Sequence, residues 1–280
     1  MSSVIKGTQF DDNNTVNGNG KFHKSLVGEN WTRNDKGQIQ FANDTIYGDK
    51  GNDKLVGRAG DDILYGGDDS DQLNGDAGRD KLYGEFGDDF LYGGSGDDIL
   101  YGGFASDKLM GDAHNDKLDG EAGEDFLYGG SGKDTLSGGL HNDHLFGGSG
   151  KDYLMGGHGS DYLDGANFYG AGNGIGTGSE SDSLAGGEGT DTFVLGNINN
   201  VYYLGTGHAS ITDFTLGTDK IQIKGQVGDG YTLKAKDWSG NEVLDTGIYY
   251  KGNLIGVVLE TNLTNVNPNK VFSSAPSIPI

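Results

Sequence analysis

The chain contains no cysteine, three prolines, three methionines and two tryptophans in 280 residues. Without thiols there is neither a disulfide framework nor a thiolate metal site. That absence is neutral about compartment, although a chain that crosses a membrane unfolded is better off without disulfides. No stretch approaches the roughly eighteen apolar residues of a membrane-spanning helix, and Met1–Phe10 carries no cationic and apolar secretory leader. Basic side chains are scarce, 20 against 42 acids for a net charge of −22, which argues against nucleic acid as a partner. Enzyme signatures are missing as well. There is no H-E-x-x-H, and Gly93-Gly94-Ser95-Gly96 and its copies at Gly129 and Gly147 lack the G-x-S-x-G spacing. Gly132-Lys133 and Gly150-Lys151 are followed by aspartate rather than Ser or Thr, so they are not phosphate loops. The length leaves room for one array with modest ends and none for a large separate catalytic domain.

What the chain has in excess is order at a period of nine. Fourteen aspartates stand at every ninth position: Asp44, Asp53, Asp62, Asp71, Asp80, Asp89, Asp98, Asp107, Asp116, Asp125, Asp134, Asp143, Asp152 and Asp161. Two places after each comes an aliphatic residue, Ile46 and then the leucines from Leu55 to Leu163, and glycines open each next unit from Gly48 to Gly165. The period breaks between Phe168 and Gly176 and resumes with Asp182-x-Leu184 and Asp191-x-Phe193. Such a fixed period marks a repeat array in which each unit buries its apolar face only by stacking on its neighbours.

The x-L-x alternation predicts one three-residue strand per unit, followed by a six-residue turn. Two units then make a coil of eighteen residues, and equivalent units stack in parallel about 4.8 Å apart. Stacking gathers Asp44 to Asp152 on one edge and Asp53 to Asp161 on the other. Like charges about 5 Å apart repel by about 3 kcal/mol at an effective dielectric near 20, so cations are expected between them. Calcium suits the gap, because it takes many oxygens and accepts backbone carbonyls. Magnesium prefers to keep its water, and softer metals want thiolate or imidazole. The two rows contain twelve successive pairs, and twelve divalent ions would more than cancel the net charge. Turn glycines imply positive φ. Asp69, Ala105, His114 and His141 replace glycine at the fourth place of the unit, where aspartate and histidine tolerate the left-handed region and alanine does not. His114, His141, His144 and His158 lie close in sequence. Turn substitution explains two of them, and a histidine metal cluster is the competing reading.

The unit G-G-x-G-x-D-x-L-x, clean in Gly93–Tyr101, resembles the calcium-binding nonapeptide of the RTX, or hemolysin-type, family over residues 39–195. The resemblance implies calcium as the cofactor, an extracellular or cell-surface location, and export through a type I channel by an uncleaved C-terminal signal. Val271–Ile280, hydroxyl-rich with apolar ends, is the candidate signal. Ile211–Ile221 is similar to the segment after the repeats in secreted members, and Thr246–Tyr250 with Gly252–Val257 looks like cyanobacterial ones.

The expected fold is all-β: a right-handed parallel β-roll over 39–195 with a loop near 166–176, an N-terminal cap over 1–38, a β-rich C-terminal cap over 196–262 and a tail over 263–280. The cap at 1–38 contains a degenerate unit with Asn14 in the aspartate place and Val16 in the leucine place. The expected metal ligands are the fourteen aspartates with Asp182 and Asp191, holding about 8 to 12 calcium ions. Tyr47, Tyr65, Tyr83 and Tyr101, eighteen apart, should stack on one face, while Phe90, Phe126, Tyr92, Tyr128 and Phe146 decorate the other. Two readings of that aromatic row stand: packing between coils, or a surface for polysaccharide. The function expected is that of a calcium-dependent structural or interaction protein rather than an enzyme, with a polysaccharide-binding module or polysaccharide-active enzyme as the alternative.

Overall fold

The computed structural model describes residues 43–166, 181–196, 203, 207–223 and 229–274, together with short strands at 4–8, 15–16, 22–23, 26–27, 32–33 and 39–40. It divides into two compact units, residues 1–131 and 132–280. Both are built on a right-handed parallel β-roll with eighteen residues to the coil.

In the first unit one row of parallel strands runs through Val4–Thr8, Thr45–Lys50, Ile63–Asp68, Lys81–Phe86, Ile99–Phe104 and Lys117–Ala122. The second row runs through Leu26–Val27, Lys54–Ala59, Gln72–Ala77, Phe90–Ser95 and Lys108–Ala113 to Phe126. Each strand pairs with the one eighteen residues on, as Leu82 with Leu100 and Tyr83 with Tyr101. The alternation of the unit dictates what faces inward. Aspartate, leucine and glycine, two places apart, point to the interior, and the residues between them point out. Every ladder residue of this unit, from Ile46 to Leu127, is fully buried. The core is therefore a column one side chain wide, flanked by buried aspartates and glycines.

Between Thr45 and Ala122 the strands are six residues long rather than three, whereas Tyr162–Asp164, Thr192–Val194 and Ala209–Ile211 have the expected three. Pairing carries on beyond the glycine, Glu85 opposite Gly103 and Phe86 opposite Phe104. Half of the expected turn is thus hydrogen-bonded strand. Val16 does not extend the roll: Thr15–Val16 pairs antiparallel with Phe22–His23, and the parallel partners in this segment are Val4–Thr8 and Leu26–Val27. Asn14 lies outside the described residues.

The second unit continues the same grammar through Thr135–Leu140, Tyr153–Gly159, Ser183–Gly189 and Ala209–Ile211 in one row. Its other row holds His144–Gly150, Tyr162–Asp164, Thr192–Val194, Lys220–Ile223 and Phe272–Ser274. Leu154 sits opposite Leu184 and Leu163 opposite Phe193, so the roll keeps register while the sequence separation grows to 30. The loop expected at 166–176 lies outside the described residues, apart from Ala166. Asn253–Val258 then joins the row beside Ala209–Ile211 and folds back antiparallel on Asp245–Tyr250. Lys251 and Gly252 make the connection with φ of 47° and 89°, the two left-handed residues of a hairpin turn matched to strand twist. Residues 263–274, assigned to the tail by sequence, belong to this packing: Leu263 and Val271 are buried, and Phe272 pairs with Ile221.

Candidate metal centre

All sixteen aspartates of the expected set are buried, none more than 3 % exposed. Within each unit the structure brings them into rows, and the carboxylates there divide their work. Oδ1 accepts the backbone N–H of the aspartate one coil earlier: Asp62 to Asp80 at 2.7 Å, Asp71 to Asp89 at 2.7 Å, Asp80 to Asp98 at 2.8 Å, Asp89 to Asp107 at 2.8 Å. The rows cross the longer connection as well, Asp152 to Asp182 at 2.9 Å and Asp161 to Asp191 at 3.0 Å. The carboxylates are thus spaced by hydrogen bonds along the row, and only the second oxygen remains for an ion.

That oxygen is buried and has no hydrogen bond at Asp62, Asp71, Asp80, Asp89, Asp98, Asp107, Asp161 and Asp191. It faces a cradle left open by glycine. A Cβ placed on Gly93 would lie 2.6 Å from Oδ2 of Asp98 and 3.0 Å from the carbonyl oxygen of Gly111. On Gly102 it would lie 2.5 Å from Oδ2 of Asp107 and 2.9 Å from the carbonyl oxygen of Gly120. The first glycine of the unit is therefore required for space. The cradle joins a carboxylate oxygen to a main-chain carbonyl of the next coil, and any side chain would fill it.

Burial drives these carboxyls up, to about 8 for Asp71 and Asp107, about 7 for Asp80 and Asp125, and about 6 for Asp62, Asp89, Asp98, Asp161 and Asp191. Desolvation is the main cause, opposed by the N–H to Oδ1 bond and, at Asp71, Asp80 and Asp107, reinforced by the neighbouring carboxylates of the row. A desolvated, half-bonded anion is expensive. A cation resting on Oδ2 and the facing carbonyl removes that penalty. Among the described residues no three His, Asp or Glu side chains converge, so an ion here draws on single carboxylates and carbonyls, the donor set of a hard cation with high coordination number. The donors fit calcium.

The turns carry more strain than the sequence suggested. Asp69, Ala105, His114 and His141 have φ of 79°, 82°, 83° and 81°, so even alanine adopts the left-handed region. Sequence reasoning missed a second set: Asp49, Arg58, Asp76, Glu85, Asp112 and Glu121, at the second place of the unit, have φ between 68° and 79°. Their signal was the second glycine of the consensus, which they replace. Left-handed residues with a Cβ cost about 1 to 2 kcal/mol each. The histidines disperse. Nδ1 of His114 lies 2.9 Å from the carbonyl of Ala113, His158 meets Glu188 at 3.1 Å, and His144 stacks on Tyr162.

One further ladder residue escaped the sequence reading. Asp219 is buried, and its Oδ1 accepts the N–H of Asp191 at 3.2 Å, in step with Ile221 opposite Phe193. Asp219-Lys220-Ile221 repeats the D-x-I of Asp44-Thr45-Ile46, a signal hidden by the loss of the glycines around it.

The model of the RTX calcium-binding nonapeptide repeat matches the chain at residues 41–73, 65–100, 74–109, 101–136, 137–170 and 177–208, more than half its length. The chain belongs to the RTX calcium-binding repeat family. No curated protein matches it. The family repeats bind calcium, and the periodic buried aspartates of this RTX chain are their counterpart.

Proposed function

We propose that this RTX chain is an extracellular structural or surface-associated protein whose roll folds on calcium after export. The observation that carries the reading is the row of buried Oδ2 atoms without hydrogen bonds, each facing a glycine-lined cradle. The ligands would be the Oδ2 atoms of the repeat aspartates, Asp62, Asp71, Asp80, Asp89, Asp98, Asp107, Asp152, Asp161 and Asp191 among them, with the facing carbonyls, one ion to a cradle. Calcium supplies the positive charge that the buried carboxylates lack. Binding and folding are then one equilibrium, because no cradle exists in the unfolded chain. Low calcium inside a cell keeps the chain unfolded for a type I exporter, and calcium outside folds it. The export address is best tested by removing residues 275–280, since a cut at Val271 also deletes the strand Phe272–Ser274. The shortened chain should stay in the producing cell and still fold with calcium in vitro. Normal secretion would sink the assignment.

A second reading, binding of an extracellular polysaccharide, is favoured by the outer face of residues 47–104. Tyr47, Tyr65, Tyr83 and Tyr101 stack with centroids 4.8, 4.8 and 5.1 Å apart and planes within 8° of parallel. Phe86 and Phe104 form a second stack at 5.1 Å, more than half exposed, and a groove with Glu85 and Glu121 on its walls runs between the stacks. Sugar rings pack on such faces. Replacing Tyr65, Tyr83 and Tyr101 with serine should abolish retention on a polysaccharide column while leaving calcium binding intact. Unchanged retention would assign the stack to packing alone.

A further inference from the structure

The cradle over Gly165 differs from the others in its row. Over Gly147, a Cβ would lie 2.6 Å from Oδ2 of Asp152 and 2.7 Å from the carbonyl oxygen of Gly165. Over Gly165 it would lie 2.6 Å from Oδ2 of Asp182, but 2.5 Å from the hydroxyl of Tyr203, which takes the place of the glycine carbonyl. That hydroxyl donates to Oδ2 of Asp182 at 2.6 Å, and the tyrosine is 2 % exposed. Tyr203 also holds φ at 58°, a left-handed conformation unusual for an aromatic residue. The next coil has neither ligand nor space. Ala209 occupies the aspartate place opposite Asp182, one position before Ser210, which pairs with Ser183. Leu195 stands where the glycine would be, four places after Asp191, and is fully buried.

We propose that Tyr203 is a built-in stop for the calcium row that contains Asp152: its hydroxyl fills the cradle over Gly165, so Asp182 holds a protein hydrogen bond instead of an ion. Asp182 therefore leaves the ligand set expected from sequence, and the row's last ion sits over Gly147. The other row ends by the same logic with a different donor. Oδ2 of Asp219 accepts the N–H of Thr215 at 2.6 Å while Oδ1 accepts that of Asp191, so this carboxylate is satisfied on both oxygens and the last ion-demanding one is Asp191. A repeat array without such a stop would present an unfilled carboxylate at its end. Here the chain ends the demand for metal with its own donors.

The inference rests on calcium ligation by the cradles, and one experiment separates the two. The number of calcium ions bound at saturation is counted by native mass spectrometry for the full-length wild type, Asp152→Asn, Asp182→Asn and Tyr203→Phe. Asp152→Asn should bind one ion fewer, Asp182→Asn the wild-type number, and Tyr203→Phe one more. If Asp152→Asn loses none, the ligation reading itself fails. If Asp152→Asn loses one and Asp182→Asn loses one too, Asp182 is an ordinary ligand and the stop is overturned. A wild-type count for a folded Tyr203→Phe overturns the claim that the hydroxyl is what excludes the ion. Asp182→Asn keeps an oxygen for the tyrosine, so it decides the matter even where Tyr203→Phe does not fold.

Discussion

Buried carboxylates occupy two settings in this chain. Those of the repeat interior, such as Asp80, Asp98 and Asp107, have one oxygen in a hydrogen bond and the other bare. Asp245, beyond the repeats, is saturated: it accepts the N–H groups of Trp238, Ser239 and Glu260. The acid–base consequence has opposite sign. Asp245 is held below the usual carboxylate range by its three donors, which outweigh its desolvation, whereas the interior aspartates are pushed above it. The same residue type, equally buried, is a finished structural joint in one place and an unmet demand for a cation in the other. Burial of an aspartate is thus no sign of metal binding. Its unsatisfied oxygen is.

The sharpest way to break the comparison is at glycine. Gly93→Ala puts a methyl into the cradle between Asp98 and Gly111 and should weaken that one site about tenfold, equivalent to about 1.4 kcal/mol of overpacking, and so raise the calcium midpoint. Gly240→Ala, at a φ of 76° with nothing within 4 Å, should cost about 1 kcal/mol of backbone strain and, because binding and folding are linked, raise the midpoint less than Gly93→Ala does. Equal midpoint shifts in the two variants would show that the cradle is not the site.

A smaller effect is expected from charge alone. Asp98→Asn should raise the midpoint more than Asp44→Asn, because Asp98 is bonded in the row to both Asp80 and Asp116, whereas Asp44 has Ile39 rather than glycine five places before it. Asp245→Asn should lower the melting temperature by the equivalent of about 1 to 3 kcal/mol while leaving the number of ions bound at saturation unchanged. Circular dichroism follows the midpoints and native mass spectrometry the ion counts.

The smallest expected effect is of pH on the chelated chain. The interior aspartates have folded-state values of about 6 to 8 against an ordinary 3.8, so the folded form binds more protons than the unfolded one. Stability from this source is fully present below about pH 4 and is lost as pH rises through 6 to 8. In chelator, the β signal should be stronger at pH 4 than at pH 8. A signal that grows with pH would contradict the burial of these groups.

The repeat was legible because one residue type per position carries one physical duty. Aspartate at a fixed spacing gave the rows, leucine the column, and the glycine of each unit the space between them. The legibility ends where duties are shared between distant segments. The sequence offers no hint that Tyr203 answers Asp182, because their contact spans 21 residues and an interrupted period. Asp219 lost its glycine neighbours and with them the recognisable unit, and the strand at Phe272–Ser274 was hidden in a stretch read as tail. Strand length was misjudged for a different reason. Residues such as Glu85 at positive φ look like turn, yet their neighbours keep pairing coil to coil.

The central claim is that the interior carboxylates need calcium for the roll to form, and a calcium titration of the chelated full-length chain tests it most directly. Circular dichroism should show mostly coil in chelator and a cooperative rise of β signal at calcium concentrations of about 0.1 to 1 mM, with magnesium unable to replace it. A chelated chain already folded, and as stable as the calcium-loaded one, would contradict the account.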